Sequence, residues 1–187
     1  MTHLFGFRRA LDRLIAQAEL QANFAVLDIG CGTGTLAVSI KKRWPAVDVV
    51  GLDPDPNALA IAQRKSTRAR AALRFERGFA DALPFADATF DRVFSSMMFH
   101  HVKKDDRQRV LGEVRRVLKP RGRLEFLDFI GRHHSLLGAL AHGHHAAPAA
   151  DDTLIARMRE AGFTDAKRLG DRRTLFGPIG YYQAAGG

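Results

Sequence analysis

The hydrophobic and polar positions of this chain follow two patterns, one helical in period and one made of short apolar runs. From Leu4 to Ala18, apolar residues recur at near-helical spacing with arginines between them, which predicts an amphipathic first helix within residues 1–22. Beyond it, short apolar runs predict strands, and the segments between them predict helices. The predicted strands are Val26–Ile29, Val47–Leu52, Leu73–Glu76, Phe90–Ser95 and Arg123–Ile130, and the predicted helices are Leu36–Trp44, Ala58–Arg70 and Asp105–Leu118. Strands that alternate with helices predict right-handed crossovers and a parallel sheet.

The tail of the chain breaks this alternation. A helix is predicted at Asp151–Ala161, followed by two strand-like runs at Phe163–Leu169 and Arg173–Tyr182. The two runs lie close enough in sequence to pair as an antiparallel hairpin at the edge of the sheet. Before them, residues 131–150 are rich in His, Gly and Ala and follow the fifth strand. We expect that segment to form a lid at the carboxyl edge of the sheet.

Length and composition bound the architecture. The chain has 187 residues, 46% hydrophobic and 26% charged, which predicts one α/β domain over residues 1–187 and no separate substrate domain. No apolar run reaches the length of a membrane span, and the first residues lack a signal-peptide core, so we expect a cytoplasmic protein. The single cysteine, Cys31, excludes an internal disulfide framework, and its place in a glycine-rich turn favours a small side chain over a catalytic thiol.

The chain is basic. Lys and Arg number 29 against 20 Asp and Glu, which gives a net charge of +9. Such a surface attracts anionic lipids, acidic substrates or nucleic acid, and it also occurs without a specific partner. Most of the positive residues fall on predicted helices, where solvated helix faces account for them. We expect no nucleic-acid partner, because no dedicated binding domain or aromatic platform is evident, and we keep peripheral contact with an anionic membrane as an expectation.

The first strand runs into a glycine-rich turn that opens a helix, over Val26–Ala37. Gly30, Gly32 and Gly34 give this turn the G-x-G-x-G spacing. A glycine backbone approaches a ligand closely because no Cβ intervenes, and it adopts turns that other residues resist. The turn is therefore a candidate cofactor loop.

Two acids accompany the turn. Asp28 precedes Gly30 by two residues, and Asp53 follows the second apolar strand, which together favour an adenosyl ligand at the carboxyl ends of the strands. A dinucleotide site is the competitor, but it prefers a third glycine where this chain has Thr35, and its pyrophosphate requires no carboxylate at position 28. Asp28 instead suits a positively charged ligand. S-adenosylmethionine carries both an ammonium and a sulfonium.

Four segments, in order and in register, resemble the class I S-adenosylmethionine-dependent methyltransferases, and within them the ubiquinone/menaquinone-biosynthesis-like group (methyltransferase type 11). They are distributed along the run Val26–Phe129, more than half of the chain, which makes the likeness more specific than a lone glycine motif. The four segments are Leu27–Gly34, Val50–Asp53, Ala80–Phe85 continuing to Phe90–Val93, and Glu113–Leu124. The resemblance implies a Rossmann-like, doubly wound sheet of seven strands, mostly parallel, with an antiparallel C-terminal hairpin strand.

The resemblance also implies roles for individual residues in binding S-adenosylmethionine, which leaves as S-adenosylhomocysteine. Asp28 would orient the loop or the ammonium through water, and Asp53 would accept hydrogen bonds from the ribose hydroxyls. The other residues that it places around the cofactor are Gly30, Gly32, Thr33 and Gly34 along the methionine and ribose, Phe79, Ala80 and Asp81 at the adenine, and Ser96 near the methionine end. For each acid the alternative role is a helix cap or a surface charge.

Methyl transfer is an in-line displacement at the sulfonium methyl, so the protein mainly supplies orientation and exclusion of water. Where the acceptor must lose a proton, His100 or His101 is the candidate catalytic base just after the fourth strand. The alternative is that one packs against a helix and the other caps it or faces solvent. We expect no metal site, because the spacing of the remaining histidines matches no established ligand set. Those histidines are His133, His134, His142, His144 and His145.

The acceptor is a separate question, since a fold does not give a function. Met97, Met98 and Phe99 are apolar next to the expected methyl site, which favours a small, apolar or lipid-like acceptor. A short lid over residues 131–150 on the acceptor side leaves the pocket open to a large substrate or to completion by a second subunit, a homodimer. The alternatives are a methyltransferase acting on nucleic acid or protein, a cofactor-binding protein without transfer activity and, third, a dehydrogenase.

Overall fold

The computed structural model describes residues 2–130, 151–174 and 177–187. The segment 131–150, with the predicted lid and the five histidines considered as metal ligands, lies outside the described residues. Within the described ranges, no helix is both long and apolar enough to cross a membrane. No cluster of three or more potential metal-ligating side chains occurs in these ranges either.

The described chain forms five α-helices and seven strands, close to the predicted elements. The helices are α1 Thr2–Gln17, α2 Thr35–Arg43, α3 Pro56–Ala69, α4 Arg107–Val117 and α5 Asp151–Glu160. The strands are β1 Ala25–Ile29, β2 Asp48–Asp53, β3 Arg74–Arg77, β4 Phe90–Ser96, β5 Leu118–Phe129, β6 Thr164–Thr174 and β7 Gly177–Ala185. A short 3-10 turn at Phe99–His101 follows β4.

All seven strands join one sheet in the order β3-β2-β1-β4-β5-β7-β6. The strands β1 to β5 pair in parallel, whereas β7 is antiparallel to both of its neighbours, β5 and β6. This confirms the predicted seven-stranded, mostly parallel sheet with an antiparallel C-terminal hairpin. The edge strand β6 carries exposed charged side chains such as Lys167 and Asp171, which discourage edge-to-edge pairing with other molecules.

Two predicted boundaries were wrong. The strand β5 begins at Leu118 instead of Arg123, because Leu118 pairs with Phe90 before the register shifts to Arg92 opposite Arg123. Residues 119–122, which were predicted neither as helix nor as strand, thus form an irregularity inside the strand, with Arg121 at φ 66°. In the tail, β6 continues to Thr174. Arg173 and Thr174, which were predicted to begin the last strand, therefore belong to β6, and β7 begins at Gly177.

Helices cover both faces of the sheet. On one face, α4 and α5 bury apolar residues against the strands, with Leu111, Val114 and Met158 almost fully covered. On the other face, α1 and α2 do the same, with Leu14 of α1 and Ile40 of α2 fully covered. The apolar residues of α1 from Ala10 to Ile15 are therefore part of the core, which accounts for the amphipathic pattern in that part of the helix, whereas Phe7 is exposed.

A buried carboxyl group joins α1 to the sheet. Glu125 on β5 is fully buried, and its Oε2 accepts a hydrogen bond of 2.8 Å from Gln17 Nε2 of α1. Its Oε1 accepts a hydrogen bond of 3.1 Å from Gln183 Nε2 and lies 3.4 Å from Arg123 Nε. Burial raises the pKa of Glu125 to about 7, although these donors and Arg123 oppose the rise.

This raised pKa predicts a pH-dependent stability. Because the folded pKa lies above the unfolded one, Glu125 stabilises the fold below pH 4.5, and that contribution is lost as the pH rises through about 7. Between about pH 5.5 and 8.5, we expect the free energy of unfolding of the wild type to fall by about 2 kcal/mol more than that of Glu125→Gln, which cannot titrate at this position. Urea unfolding of both proteins at the two pH values measures this difference. The raised pKa of Asp28 affects both proteins equally, so its contribution cancels in the comparison. Parallel pH profiles would contradict the assignment to Glu125.

Candidate functional site

A cleft of about 680 Å³ opens at the carboxyl ends of β1, β2 and β4. This is the edge where the strand order reverses, since β1 lies between β2 and β4, and ligands of open α/β sheets bind at such a point. Several of the predicted cofactor residues line the cleft. They are Gly30, Gly32, Asp53, Phe79, Ala80 and Asp81, together with the catalytic candidate His101.

The three glycines of the loop have different structural roles, although all are left-handed, with φ of 64°, 51° and 71°. A Cβ on Gly30 would lie 2.2 Å from Met98 Cγ, and one on Gly34 would lie 2.9 Å from the Ala62 Cβ of α3. A Cβ on Gly32 would meet nothing within 4 Å. Gly30 and Gly34 are thus needed for packing, whereas Gly32 leaves open space on the side where a ligand can approach.

Asp53 holds this loop in place. Its Oδ2 accepts a hydrogen bond of 2.8 Å from the Gly32 N–H, and its Oδ1 accepts one of 2.9 Å from the Asp55 N–H. A carboxylate has about four acceptor positions, so both oxygens keep capacity for further donors. Because Asp53 also lines the cleft, this capacity suits a pair of adjacent hydroxyl groups such as those of a ribose.

Asp28 lies beneath the loop and does not line the cleft. It is almost fully buried, and its Oδ2 has no hydrogen-bond partner among the described residues. Burial raises the pKa of Asp28 to about 7, opposed by the Ala37 N–H and reinforced by the charge of Asp53. A buried carboxyl with an unpaired oxygen is stabilised by a proton or by a nearby cation. A positively charged ligand is also what the position of Asp28 in the sequence predicts.

Three other predicted cofactor residues, Thr33, Gly34 and Ser96, also lie outside the cleft lining, as does the catalytic candidate His100. Thr33 faces α3, where its hydroxyl receives a hydrogen bond of 3.0 Å from Lys65 Nζ. Ser96 has a buried Oγ without a partner among the described residues, and the wall beside it is formed by Met97 and Met98. The cleft surface at the end of β4 is thus supplied by the two methionines and not by Ser96.

The adenine-side residues lie on a loop before β4. Phe79 is 65% exposed on the cleft wall, an aromatic face that a flat ring can cover. Asp81 lies beside it, with Oδ2 3.7 Å from Arg109 Nε, and Arg109 also pairs with Asp106 at 2.5 Å. This ion pair is exposed, so a ligand amino group can compete with Arg109 for the Asp81 carboxylate at little cost.

Glu113 and Arg116 of α4 fix that loop, a role that sequence reasoning missed. The Leu83 N–H donates to Glu113 Oε2 at 2.8 Å, and Arg116 donates to the carbonyls of Leu83 at 3.0 Å and Phe85 at 2.7 Å. The hydrogen bond with Glu113 raises the pKa of Arg116, and the same contact lowers the pKa of Glu113. The signal was present, because both residues belong to the fourth segment of the family resemblance.

The cleft carries the opposite charge to the molecule. In the described part of the chain, its lining includes four aspartates and one lysine, although the whole chain has a net charge of +9. The four are Asp53, Asp55, Asp81 and Asp106. Carboxylates at close range attract a cationic ligand and oppose an anionic pyrophosphate. The lining therefore favours a sulfonium and ammonium compound over a dinucleotide.

A carboxylate and a histidine pair at the ends of β4 and β5. His100 Nδ1 lies 2.6 Å from Asp128 Oδ1, and the His100 N–H donates to Asp128 Oδ2 at 3.0 Å. Because a carboxylate only accepts, Nδ1 carries the proton and Nε2 is the acceptor of the ring. The ring of His101 lies 4.0 Å from that of His100 and lines the cleft. Sequence reasoning named both histidines but missed Asp128.

The thiol of Cys31 is buried in the loop. Burial raises its pKa, and the charges of Asp28 and Asp53 raise it further, so the thiol stays protonated. A nucleophilic cysteine needs the opposite environment. Cys31 is therefore a packing residue, which agrees with the sequence-based interpretation.

Comparison with known proteins identifies the family. A family model described as a methyltransferase domain matches residues 26–122. The demethylmenaquinone methyltransferase of Thermus thermophilus is 42% identical over 122 residues, covering 65% of this chain and 53% of that protein. The ubiquinone/menaquinone biosynthesis C-methyltransferase of Syntrophotalea carbinolica is 35% identical over 148 residues, covering 77% and 61% respectively. The chain spans about half the length of the first of these relatives.

Solved structures confirm the fold. The YcgJ protein of Bacillus subtilis superposes with a TM-score of 0.81 at 19% identity, covering 95% of this chain and 98% of that one. The phosphoethanolamine N-methyltransferase 2 of Haemonchus contortus, solved in complex with S-adenosylmethionine, gives 0.78 at 16% identity, covering 95% and 52%. The fold, the glycine loop and the matched domain lead to one conclusion: the chain belongs to the methyltransferase-domain family, among the class I S-adenosylmethionine-dependent methyltransferases.

Proposed function

We propose that this chain transfers a methyl group from S-adenosylmethionine to a small, lipid-like acceptor of the quinol type. The observation that carries the proposal is the acidic cleft beside the glycine loop, with Asp53 at its base. The names of the relatives, which include demethylmenaquinone methyltransferases, support the acceptor class. Apolar Met97 and Met98 beside the loop give such an acceptor a surface to pack on.

The described residues fit the cofactor. Asp53 would accept hydrogen bonds from the ribose hydroxyls, the backbone of Gly32 would border the methionine portion, and Phe79 and Asp81 would contact the adenine ring and its amino group. The Asp28 carboxyl would lie beneath the ammonium group, whose positive charge would favour its ionised form. When bound, S-adenosylmethionine would supply the methyl group of its positively charged sulfur. The leaving group would be S-adenosylhomocysteine, a neutral thioether. The chain itself orients the donor against the acceptor and excludes water from the line of transfer.

His100 is the base in this proposal. Asp128 fixes the His100 ring with the proton on Nδ1, so Nε2 accepts the proton that the acceptor loses. His101 lies beside His100, with its ring 4.0 Å from the His100 ring and tilted by 43°, and His101 lines the cleft. The contact with Asp128 holds the His100 imidazole in one tautomer.

Because a lipid-like acceptor resides in a membrane, the proposal includes peripheral contact of this protein with an anionic membrane surface. The apolar residues of α1 from Ala10 to Ile15 pack on the sheet, so contact with an anionic membrane would be electrostatic, through exposed residues such as Arg8, Arg9, Lys103 and Lys104. Lys103 also lines the cleft, which would place its mouth towards the lipid surface. A second copy of the chain that completes the acceptor side belongs to the same proposal.

The cofactor site is tested by calorimetric titration with S-adenosylmethionine, S-adenosylhomocysteine and NAD. We expect micromolar binding, about −8 kcal/mol, of the two adenosyl sulfur ligands and none of NAD. Asp53→Ala should weaken binding about tenfold or more, because it removes the ribose acceptor and releases the loop. Asp48→Ala is the matched control, since Asp48 is an exposed acid at the opposite end of β2. Equal binding of NAD, or no effect of Asp53→Ala, would contradict the site.

The base is tested with a demethylmenaquinol of short side chain as methyl acceptor. We expect His100→Gln to lower kcat about a hundredfold and to leave the affinity for S-adenosylmethionine unchanged, since general base catalysis contributes about that factor or more. Asp128→Asn should also lower kcat, because an amide can donate to Nδ1 and select the wrong tautomer. His101→Gln is the neighbouring control, with the smaller expected effect. Full activity of His100→Gln would refute the role of His100, and tight cofactor binding without transfer to any quinol would refute the proposed function.

A further inference from the structure

One face of α3 supports the glycine loop. Ala58, Ala62 and Lys65 are spaced i, i+4 and i+7, so they lie in one stripe along the helix. Ala58 lines the cleft, and Ala62 packs where Gly34 has no side chain. The third member of the stripe, Lys65, faces the same loop one turn further from the cleft.

Lys65 connects the two sides of Gly34. Its Nζ donates a hydrogen bond of 3.0 Å to Thr33 Oγ1 and another of 2.7 Å to Thr35 Oγ1. Thr33 belongs to the glycine turn and Thr35 is the first residue of α2. No carboxylate among the described residues forms an ion pair with Lys65, so its ammonium group is committed to the two hydroxyls.

The position of this ammonium is electrostatically unfavourable for the fold. It lies at the N-terminus of α2, where the helix dipole is already positive. Burial of the side chain also lowers the pKa of Lys65, which shows that the surroundings disfavour its charge. A neutral side chain of the same length would pack there without these costs. Local violations of this kind concentrate at functional sites.

The loop needs such a tether. Gly30, Gly32 and Gly34 all have positive φ, and glycines sample many other conformations when nothing holds them. The loop is held by main-chain hydrogen bonds from the Cys31 N–H to the Leu52 carbonyl at 3.0 Å and from the Gly34 N–H to the Cys31 carbonyl at 2.9 Å, and by Asp53 at the Gly32 N–H on the cleft side. Lys65 adds side-chain contacts at Thr33 and Thr35, on the other side of the loop. A loop that is already ordered before the ligand arrives binds it more tightly, because binding then loses less conformational entropy.

We propose that Lys65 is a positioning residue for S-adenosylmethionine, which holds the glycine loop in its binding conformation without touching the ligand. Lys65 does not line the cleft, so its effect passes through Thr33 and Thr35. The inference rests on the cofactor site of the proposed function.

The test is Lys65→Met, which keeps the length and apolar stem of the side chain and removes its charge and donors. We expect the Kd for S-adenosylmethionine to rise about tenfold, while Tm stays the same or rises because an unfavourable charge is gone. Lys65→Arg retains charge and donors and should restore the Kd to within about threefold of the wild type. Thr35→Val should weaken binding by itself, and the double variant should bind no more weakly than Lys65→Met alone.

Lys41→Met provides a matched control. Lys41 also makes two hydrogen bonds, to the carbonyls of Pro45 at 2.9 Å and Val47 at 2.7 Å, but at the far end of α2. This variant should lower Tm and leave the Kd unchanged. A Kd of Lys65→Met within about twofold of the wild type would overturn the proposal, as would a loss of affinity matched by a fall in Tm. Failure of the wild type itself to bind S-adenosylmethionine would instead overturn the cofactor site.

Discussion

The site depends on the hydrogen bond that the Gly32 N–H donates to Asp53 Oδ2 at 2.8 Å. The same carboxylate accepts from the Asp55 N–H at 2.9 Å, so one side chain fixes the glycine turn, the end of β2 and the start of α3 relative to each other. The three glycines of the loop lie in the left-handed region and have no side chains to hold them. The parallel pairing of β1 with β2 brings Asp53 to the loop, and everything proposed for the cofactor follows from that arrangement.

Charge separates this cleft from the rest of the molecule. The surface is basic, whereas the cleft lining is acidic, and a further carboxyl, Asp28, lies buried beneath the loop with one oxygen unpaired among the described residues. This pattern suits a ligand that is cationic at the sulfur and the amino group, and it disfavours a pyrophosphate. The proposed methyl transfer would remove the sulfonium charge, so the acidic cleft would match the donor better than the product. Exposed arginines and lysines outside it remain available to an anionic surface.

The sequence predicted the parts of the site that depend on neighbours in the chain. The glycine turn, Asp53 and the order of strands and helices are local patterns, and the structure has them where they were expected. Asp128 was missed because its contact with His100, 28 residues away, exists only in the register that joins β4 to β5. Lys65 was missed for the same reason, since a lysine on a polar helix resembles a solvated one until the helix is packed. The early start of β5 at Leu118 depends on pairing with Phe90, which no local pattern reveals.

The central claim is that the acidic cleft receives S-adenosylmethionine with its ribose on Asp53 and its methyl group towards the histidine pair. The most direct measurement is a crystal structure of the protein with S-adenosylhomocysteine bound. We expect both ribose hydroxyls within hydrogen-bond distance, about 2.5–3.0 Å, of the Asp53 carboxylate, and the thioether sulfur beside Met97 and His101. A nucleoside bound away from Asp53, or with its sulfur directed away from the ends of β4 and β5, would contradict this claim.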